Sequence, residues 1–187
     1  MTVKRIIAET NGMFFVTFTC YKWLNLFSIT NGYDIVYNWF DVLIEKGHKV
    51  VGYVIMPNHV HAIIVINNSS QTLNTILANG KRFMAYALVK RLEMANEVKI
   101  LNDLSAGLLP GDKKKGQLHK VFEISFDVKV CKTMDFIKQK LDYMHKNPCN
   151  KKWMLANEPI EYKHSSMRFY SEYHELINSK LTNFVML

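Results

Sequence analysis

The chain has 187 residues, 49% of them apolar and 21% charged, with a formal net charge of +8 and a pI near 9.3. No stretch approaches the roughly 20 apolar residues of a transmembrane helix, and the N-terminus lacks the apolar segment of a secretory signal, so we expect a cytoplasmic protein with no membrane partner. The positive charge favours a polyanionic partner such as nucleic acid, although the same charge can serve solubility alone.

The three cysteines, Cys20, Cys131 and Cys149, are widely spaced and form no C-x-x-C pair. An odd number with this spacing argues against both a disulfide framework and a cysteine-rich zinc site. We therefore expect reduced thiols with structural roles.

The first part of the chain predicts three strands and one helix. Met13–Tyr21 is dense in aromatic and β-branched residues, which is typical of a strand. Apolar residues recur at helical spacing from Tyr33 to Ile44. His48–Met56 and Val60–Ile66 then predict two antiparallel strands joined by a tight turn at Pro57–His59.

The second part predicts further helices, a loop and a fourth strand. A helical pattern extends from Asn67 to Glu97, with an interruption near Asn79-Gly80. The segment Asn102–Lys120 holds three glycines, a proline and a lysine run, so we expect a mobile loop there. Val121–Val130 alternates as a strand does, and Thr133–Pro148 predicts a helix that stops before its proline.

The order β-α-β-β-α-β, followed by a further helix, predicts an α+β protein with a ferredoxin-like (RRM-like) fold. We expect an antiparallel sheet of four or five strands with helices on one face. The length suits one domain over residues 1–187, with its core at about residues 13–150. Residues 151–187 then form a C-terminal extension that packs on the same core.

His59 and His61 interrupt an otherwise apolar run, "GYVIMPNHVHAIIVI". Residues two apart in a strand point to the same face, about 7 Å from each other along the chain, so both imidazoles could bind one metal ion. In the competing interpretation, His59 caps the turn and His61 makes a hydrogen bond in the core. For an H-x-H pattern by itself, that second interpretation is the commoner one.

Tyr143 and Asn147 are four residues apart on the last predicted helix and so share a face. If this helix lies over the third strand, the Asn147 carbonyl oxygen and two neutral imidazoles would suit Mg²⁺ or Mn²⁺, with open positions for phosphate oxygens. Alternatively, Tyr143 is a core residue and Asn147 simply ends the helix. His145 points to nearly the opposite side, so we expect a surface or structural residue.

The run "VIMPNHVHAIIVI" resembles the histidine-hydrophobic-histidine motif of the single-tyrosine HUH transposases. "FDVKV", "KLDYMHKNP" and "HSSMRFY" resemble their REP-associated tyrosine transposase branch, and the agreement in order and spacing extends over about residues 13–170. Two features of the family are missing: a Trp-Gln pair ahead of the Phe-Asp stretch, and a histidine where Val128 stands.

The resemblance implies an enzyme that cleaves and rejoins single-stranded DNA near hairpins. His59 and His61 would bind a divalent metal ion, Mg²⁺ or Mn²⁺, with Asn147 as the third ligand. Tyr143 would be the nucleophile that forms a 5′-phosphotyrosine link and leaves a free 3′-hydroxyl. Related enzymes include dimers that exchange the tyrosine helix, so a homodimer is one assembly that the resemblance implies.

Basic residues on two segments are candidates for binding the DNA backbone, with Phe83 and Tyr86 interleaved for stacking on bases. These basic residues are Lys81, Arg82, Lys90, Arg91, Lys113, Lys114 and Lys115. The alternative interpretation is a solvated helix face and a loop that keeps the chain soluble.

Two other functions stay open at this point. One is a ferredoxin-like protein that binds single-stranded or hairpin nucleic acid without cleaving it. The other is a metal-dependent hydrolase in which water attacks, with Asp127 and Glu123 as acidic contributors. Tyr143 beside the histidine pair favours the transposase, because binding alone needs no metal ion next to a phenol.

Overall fold

A four-stranded antiparallel sheet forms the centre of the computed structural model, which describes residues 8–171 apart from 115 and 125. The strands are β1 (Gly12–Thr19), β2 (Lys49–Ile55), β3 (His59–Ile66) and β4 (Asp127–Val130). Their order across the sheet is β2-β3-β1-β4, which is the ferredoxin-like arrangement. The predicted α+β fold is therefore confirmed, although β4 is shorter than expected: Phe122 makes only an isolated bridge with Cys20.

The helices of the described residues connect and cover these strands. They are α1 (Leu26–Ile29), α2 (Tyr33–Glu45), α3 (Leu73–Met94), α4 (Val98–Ala106), α5 (Pro110–Lys114) and α6 (Met134–Lys146). α3 continues through Gly80, where a side chain would overlap the Trp39 indole of α2, so the glycine allows close packing and does not break the helix. The second half of α4 and all of α5 lie within the predicted loop, Asn102–Lys120. No helix among these residues is long and apolar enough to cross a membrane.

The sheet buries one apolar core on each face. α2 and α3 pack on the face that carries Phe14 and Val16 of β1, as expected of the two core helices. α6 packs on the other face, against Phe15 and Ile63. The expectation of helices on one face thus holds for α2 and α3, while α6 covers the opposite side and encloses a second core.

Gly52 sets how closely α6 approaches the sheet. The pairing of β2 with β3 shifts register between Val50 and Gly52, which marks an irregularity in β2. A Cβ atom at Gly52 would overlap the Leu141 side chain of α6 and come within 3.2 Å of the Ser166 hydroxyl. The absence of a side chain here is therefore a packing requirement.

The C-terminal extension covers the free edge of β2. Ile55 donates a backbone hydrogen bond to the His164 carbonyl at 2.8 Å, and Ser166 donates one to the Tyr53 carbonyl at 2.9 Å. These bonds satisfy backbone groups that an exposed edge would leave open to pairing with another chain. The extension thus contacts β2 through residues 164–166. Residues 172–187 lie outside the described part.

His145 connects α6 to this extension. It is buried, and its Nε2 lies 2.9 Å from the Ser166 hydroxyl oxygen. Ser166 in turn accepts a hydrogen bond from the Tyr53 backbone N–H at 2.9 Å. His145 is thus a structural residue, one of the two roles expected for it.

We predict that Gly52→Ala destabilises the protein by about 1–3 kcal/mol, because overpacking a filled core forces side chains and backbone to shift. Urea unfolding measures this loss. Gly111→Ala is the matched control, since a Cβ atom there meets nothing within 4 Å. Equal stability of the two variants would contradict the proposed packing role.

We predict that His164 makes an acid-sensitive contribution to the free energy of unfolding. Its ring stacks on Tyr33 with the centroids 3.7 Å apart, and burial, assisted by Lys163, lowers the His164 pKa to about 4. The unfolded chain takes up a proton here below about pH 6.5, whereas the folded state does not until about pH 4. This contribution is therefore present above about pH 6.5 and is lost as the pH falls towards 4.

The measurement is the free energy of unfolding at pH 7 and pH 5. His164→Gln should show a smaller decrease between the two values than the wild type. His119→Gln, in the connection between α5 and β4, controls for the exchange of a histidine for glutamine as such. A variant of His164 with an unchanged decrease would refute the prediction.

Candidate active site

His59 and His61 lie side by side on the α6 face of β3. The intervening Val60 points into the opposite core, as the strand periodicity predicts. The two imidazoles are only 4% and 6% exposed, and their ring centroids are 4.8 Å apart. The structure therefore brings together two nitrogen donors at one position on the sheet.

The amide of Asn58 fixes the tautomer of His59. Its Nδ2 donates to the Trp23 carbonyl at 2.9 Å and to the Asn25 Oδ1 at 3.1 Å. Its Oδ1 therefore faces the His59 Nδ1 at 2.7 Å and accepts the proton of that nitrogen. A neutral imidazole with Nδ1 protonated carries its lone pair on Nε2, which is the arrangement found in most histidine metal ligands.

His61 is held in the same manner by neighbours on β1. Its Nδ1 lies 2.7 Å from the Thr17 hydroxyl, and its ring stacks on Phe15 with the centroids 5.6 Å apart. Thr17 is the direct cross-strand partner of His61, so the sheet register creates this hydrogen bond. Both histidines thus use Nδ1 in a hydrogen bond within the protein, so Nε2 would be the nitrogen of each ring that meets a ligand.

Burial keeps both histidines neutral. It lowers the pKa of His59 to about 4, with a further contribution from Lys152. It lowers the pKa of His61 to about 3, with contributions from His59 and Lys140. At neutral pH both rings therefore carry an available lone pair, as metal coordination requires.

Tyr143 of α6 lies against this pair. Its ring centroid is 5.3 Å from that of His61 and 6.3 Å from that of Phe15. The side chain is 47% exposed, so the interpretation of Tyr143 as a buried core residue does not apply. The arrangement places a solvent-accessible phenol beside two buried imidazoles.

Asn147 follows Tyr143 by one helical turn and has helical backbone angles, so it shares the same face of α6. It is buried, and its Oδ1 accepts a hydrogen bond from Asn150 Nδ2 at 3.3 Å. Trp153, shortly after it, contacts the His59 ring. In sequence, Asn147 thus lies between Tyr143, which contacts His61, and Trp153, which contacts His59. Within the described ranges, no cluster of three His, Cys, Asp or Glu side chains is arranged to hold a metal ion.

Two lysines that the sequence analysis did not single out flank the site. Lys140 Nζ lies 5.5 Å from the Tyr143 ring centroid and 5.2 Å from that of Phe15. Lys152 Nζ lies 5.0 Å from the ring centroid of Trp23. Lys140 precedes Tyr143 by three residues, so its position on the helix face was visible in the sequence, whereas that of Lys152 depends on the loop after α6.

The basic residues predicted to bind DNA lie mainly elsewhere. α3 packs on the sheet face opposite the histidines, where Lys81 donates to the Glu123 carbonyl at 2.6 Å and Arg91 forms an ion pair with Asp34. Arg82 and Lys90 of α3 and Lys113 and Lys114 of α5 are exposed, and Lys115 lies outside the described residues. The structure therefore does not join the α3 residues to the histidine site.

The two acidic residues considered for a hydrolase lie apart in the fold. Asp127 pairs with Thr17 across the sheet, so it faces the histidine side, one strand beyond Thr17. Glu123 accepts a hydrogen bond from the Lys22 backbone N–H at 3.0 Å and pairs with Lys120. Only Asp127 is thus on the face of the candidate site.

Comparison with solved structures identifies the fold. A REP-associated tyrosine transposase bound to a REP hairpin matches over 99% of this chain and 93% of its own, with a TM-score of 0.64 and 14% sequence identity. A proposed transposase from Deinococcus radiodurans R1 matches over 78% of this chain and 97% of its own, with a TM-score of 0.42 and 14% identity. No protein-family model and no curated protein matches the sequence. The chain therefore has the fold of a REP-associated tyrosine transposase, as its motifs predict.

Proposed function

We propose that this protein is a transposase-like HUH endonuclease that cleaves and rejoins single-stranded DNA through Tyr143. The observation that carries the proposal is the half-exposed Tyr143 ring packed against His61, with His59 beside it. The Nδ1 atoms of both histidines are engaged in hydrogen bonds within the protein. The transposase with the same fold is bound to a REP hairpin, which supports hairpin DNA as the substrate. The predicted homodimer and cytoplasmic location stay predictions.

His59, His61 and Asn147 would hold a divalent metal ion, Mg²⁺ or Mn²⁺. The donor types fit, because two neutral imidazoles and an amide oxygen leave coordination positions for phosphate oxygens. The hydrogen bonds to Asn58 and Thr17 orient the rings before any ligand arrives. Held by these residues, such an ion would supply Lewis-acid polarisation of the scissile phosphate.

The chemical step is a transesterification at phosphorus. The Tyr143 hydroxyl oxygen attacks the scissile phosphorus and loses its proton to solvent, and the bond from phosphorus to the 3′-oxygen breaks. The departing 3′-oxygen takes up a proton, which leaves a 5′-phosphotyrosine and a free 3′-hydroxyl. Attack by another 3′-hydroxyl reverses the step and rejoins the DNA without a nucleotide cofactor.

Lys140 adds a fixed positive charge next to the nucleophile. Its ammonium group lies over the rings of Phe15 and Tyr143, on the same face of α6 as the phenol. A phosphate that reaches the Tyr143 hydroxyl would come within the field of this ammonium group. Lys140 would therefore bind a non-bridging phosphate oxygen, where the transition state gathers negative charge.

We predict that Tyr143→Phe abolishes covalent capture of DNA but leaves folding and DNA binding intact, because only the nucleophilic oxygen is removed. His59→Ala should remove metal-dependent cleavage. The assay mixes the protein with labelled single-stranded hairpin DNA from the flanks of its own gene, with Mn²⁺ or with EDTA, and detects a denaturant-resistant complex. Tyr86→Phe, an exposed tyrosine on α3, is the matched control and should react normally.

Two results would count against the proposal. Capture by both Tyr143→Phe and His59→Ala at the wild-type rate would refute the assignment of the site. A tight, metal-independent mobility shift without any covalent product would instead favour a protein that binds nucleic acid and does not cleave it.

We predict that Lys140→Met slows cleavage about 10- to 100-fold, equivalent to roughly 1.4–2.7 kcal/mol of transition-state stabilisation. Single-turnover rates at saturating DNA measure the effect separately from binding. Lys138→Met removes the same charge from an exposed position of α6 and should leave the rate near that of the wild type. Equal rates for the two variants would exclude a specific role for Lys140.

A further inference from the structure

Three residues form a cluster at the end of the site that is nearest to His59. The rings of Trp23 and Trp153 have centroids 5.7 and 5.6 Å from that of His59. Lys152 Nζ lies 5.0 Å from the Trp23 centroid and 5.3 Å from that of Trp153. We call Trp23, Trp153 and Lys152 the tryptophan cluster. It combines two aromatic faces and a cation next to a proposed metal ligand.

The backbone at Trp23 is held in an unfavourable conformation. Lys22 and Trp23 have φ angles of 50° and 58°, so two consecutive residues other than glycine occupy the left-handed region. Hydrogen bonds hold this segment: Lys22 N donates to the Glu123 carboxylate at 3.0 Å, Trp23 N donates to the Cys20 carbonyl at 3.0 Å, and the Trp23 carbonyl accepts from Asn58 at 2.9 Å. Such strain persists only where the surroundings enforce it, and it is concentrated at functional sites.

The indole on this strained segment is 54% exposed and lies against the His59 ring. Asn58 connects it to the chemistry, since the same amide that binds the Trp23 carbonyl also fixes the Nδ1 proton of His59. The position of Trp23 and the orientation of His59 thus depend on one side chain. This coupling suggests that both residues act on the same substrate.

We infer that the tryptophan cluster binds an unpaired base of the single-stranded DNA, in the nucleotide next to the scissile phosphate. Indole rings stack on bases of any sequence, and a lysine between them can neutralise the phosphate of that nucleotide. A base held against Trp23 would lie beside the His59 ring, so its nucleotide adjoins the one that reacts. The inference rests on the proposed function, from which it takes single-stranded DNA as the ligand.

The competing explanation is purely structural. Lys152 lies near both rings, and cation–π contacts of this kind also occur where no ligand binds. If the cluster binds a base, affinity for DNA requires an aromatic ring at position 23. If the cation–π contacts are purely structural, affinity for DNA does not depend on that ring. Substitutions at this position therefore separate the two explanations.

The experiment measures affinity for a labelled oligothymidylate by fluorescence anisotropy, in EDTA and in the Tyr143→Phe background, so that no cleavage occurs. An additional Trp23→Leu substitution should weaken binding roughly 5- to 100-fold, the effect expected from the loss of one stacked base. Trp23→Phe should keep most of the affinity, because the aromatic face remains. Trp39→Phe is the control: Trp39 is buried in the opposite core and should not affect binding.

Tryptophan fluorescence provides a second readout, since a stacked base quenches an indole. The DNA-induced quenching should persist in Trp39→Phe and be largely lost in Trp23→Leu. Circular dichroism and urea unfolding establish that each variant is folded. If Trp23→Leu does not fold, the test uses Trp23→Phe and Lys152→Met. Lys152→Met should lower the salt dependence of DNA binding, because it removes a phosphate contact.

The inference is wrong if Trp23→Leu binds as tightly as the parent protein, or if Trp23→Phe loses as much affinity as Trp23→Leu. Its failure is distinguishable from that of the proposed function. Covalent capture with unchanged affinity of the Trp23 variants would overturn only the base-binding inference. If Trp23→Leu loses affinity but neither the wild type nor any variant captures DNA covalently, only the proposed reaction is overturned.

Discussion

The two faces of β3 are the constraint on which the rest of this structure depends. Because side chains alternate along a strand, one register assigns Val60 and its apolar partners to one core and both histidines to the other face. A shift by one residue would exchange the two sets. The apolar core under α2 and α3 therefore stabilises the register that presents His59 and His61 together, so the folding of one face specifies the site on the other.

The position of Tyr143 depends on contacts well outside the site. α6 approaches β2 closely because Gly52 has no side chain, and His145 connects the helix to Ser166 in the C-terminal extension. Ser166 also bonds to Tyr53 on the free edge of β2. These contacts hold one face of α6 while the other face carries Tyr143 above the histidines. The extension is thus part of the apparatus that positions the phenol, in addition to covering a sheet edge.

The site combines two neutral imidazoles with positively charged lysines on either side of them. Burial keeps the two imidazoles neutral, and the nearby lysines reinforce this effect by opposing a second positive charge. Lys140 lies next to Tyr143 and Lys152 next to the tryptophans, so positive charge flanks the two ends of the histidine pair. A phosphate backbone crossing this surface would meet cations before and after the position of the proposed metal ion. This local arrangement is a more specific basis for the proposed DNA binding than the net charge of the chain.

The sequence by itself determined the ferredoxin-like order of elements, the shared face of His59 and His61, and the common helix face of Tyr143 and Asn147. These features follow from periods of two and 3.6 residues, which are local properties of the backbone. The same reasoning extended the fourth strand too far. It also assigned a loop to the second half of α4 and to α5, because burial of Leu104 depends on distant partners.

Tertiary structure alone decided which face α6 covers, which nitrogen of each histidine is used, and which basic residues lie at the site. Asn58, Thr17, Trp23 and Lys152 approach the histidines from different segments, so no spacing in the sequence relates them. The basic residues of α3 were attractive by composition, yet the sheet separates them from the histidines. Periodicity fixes where a side chain points along its own element, whereas packing between elements decides what it meets.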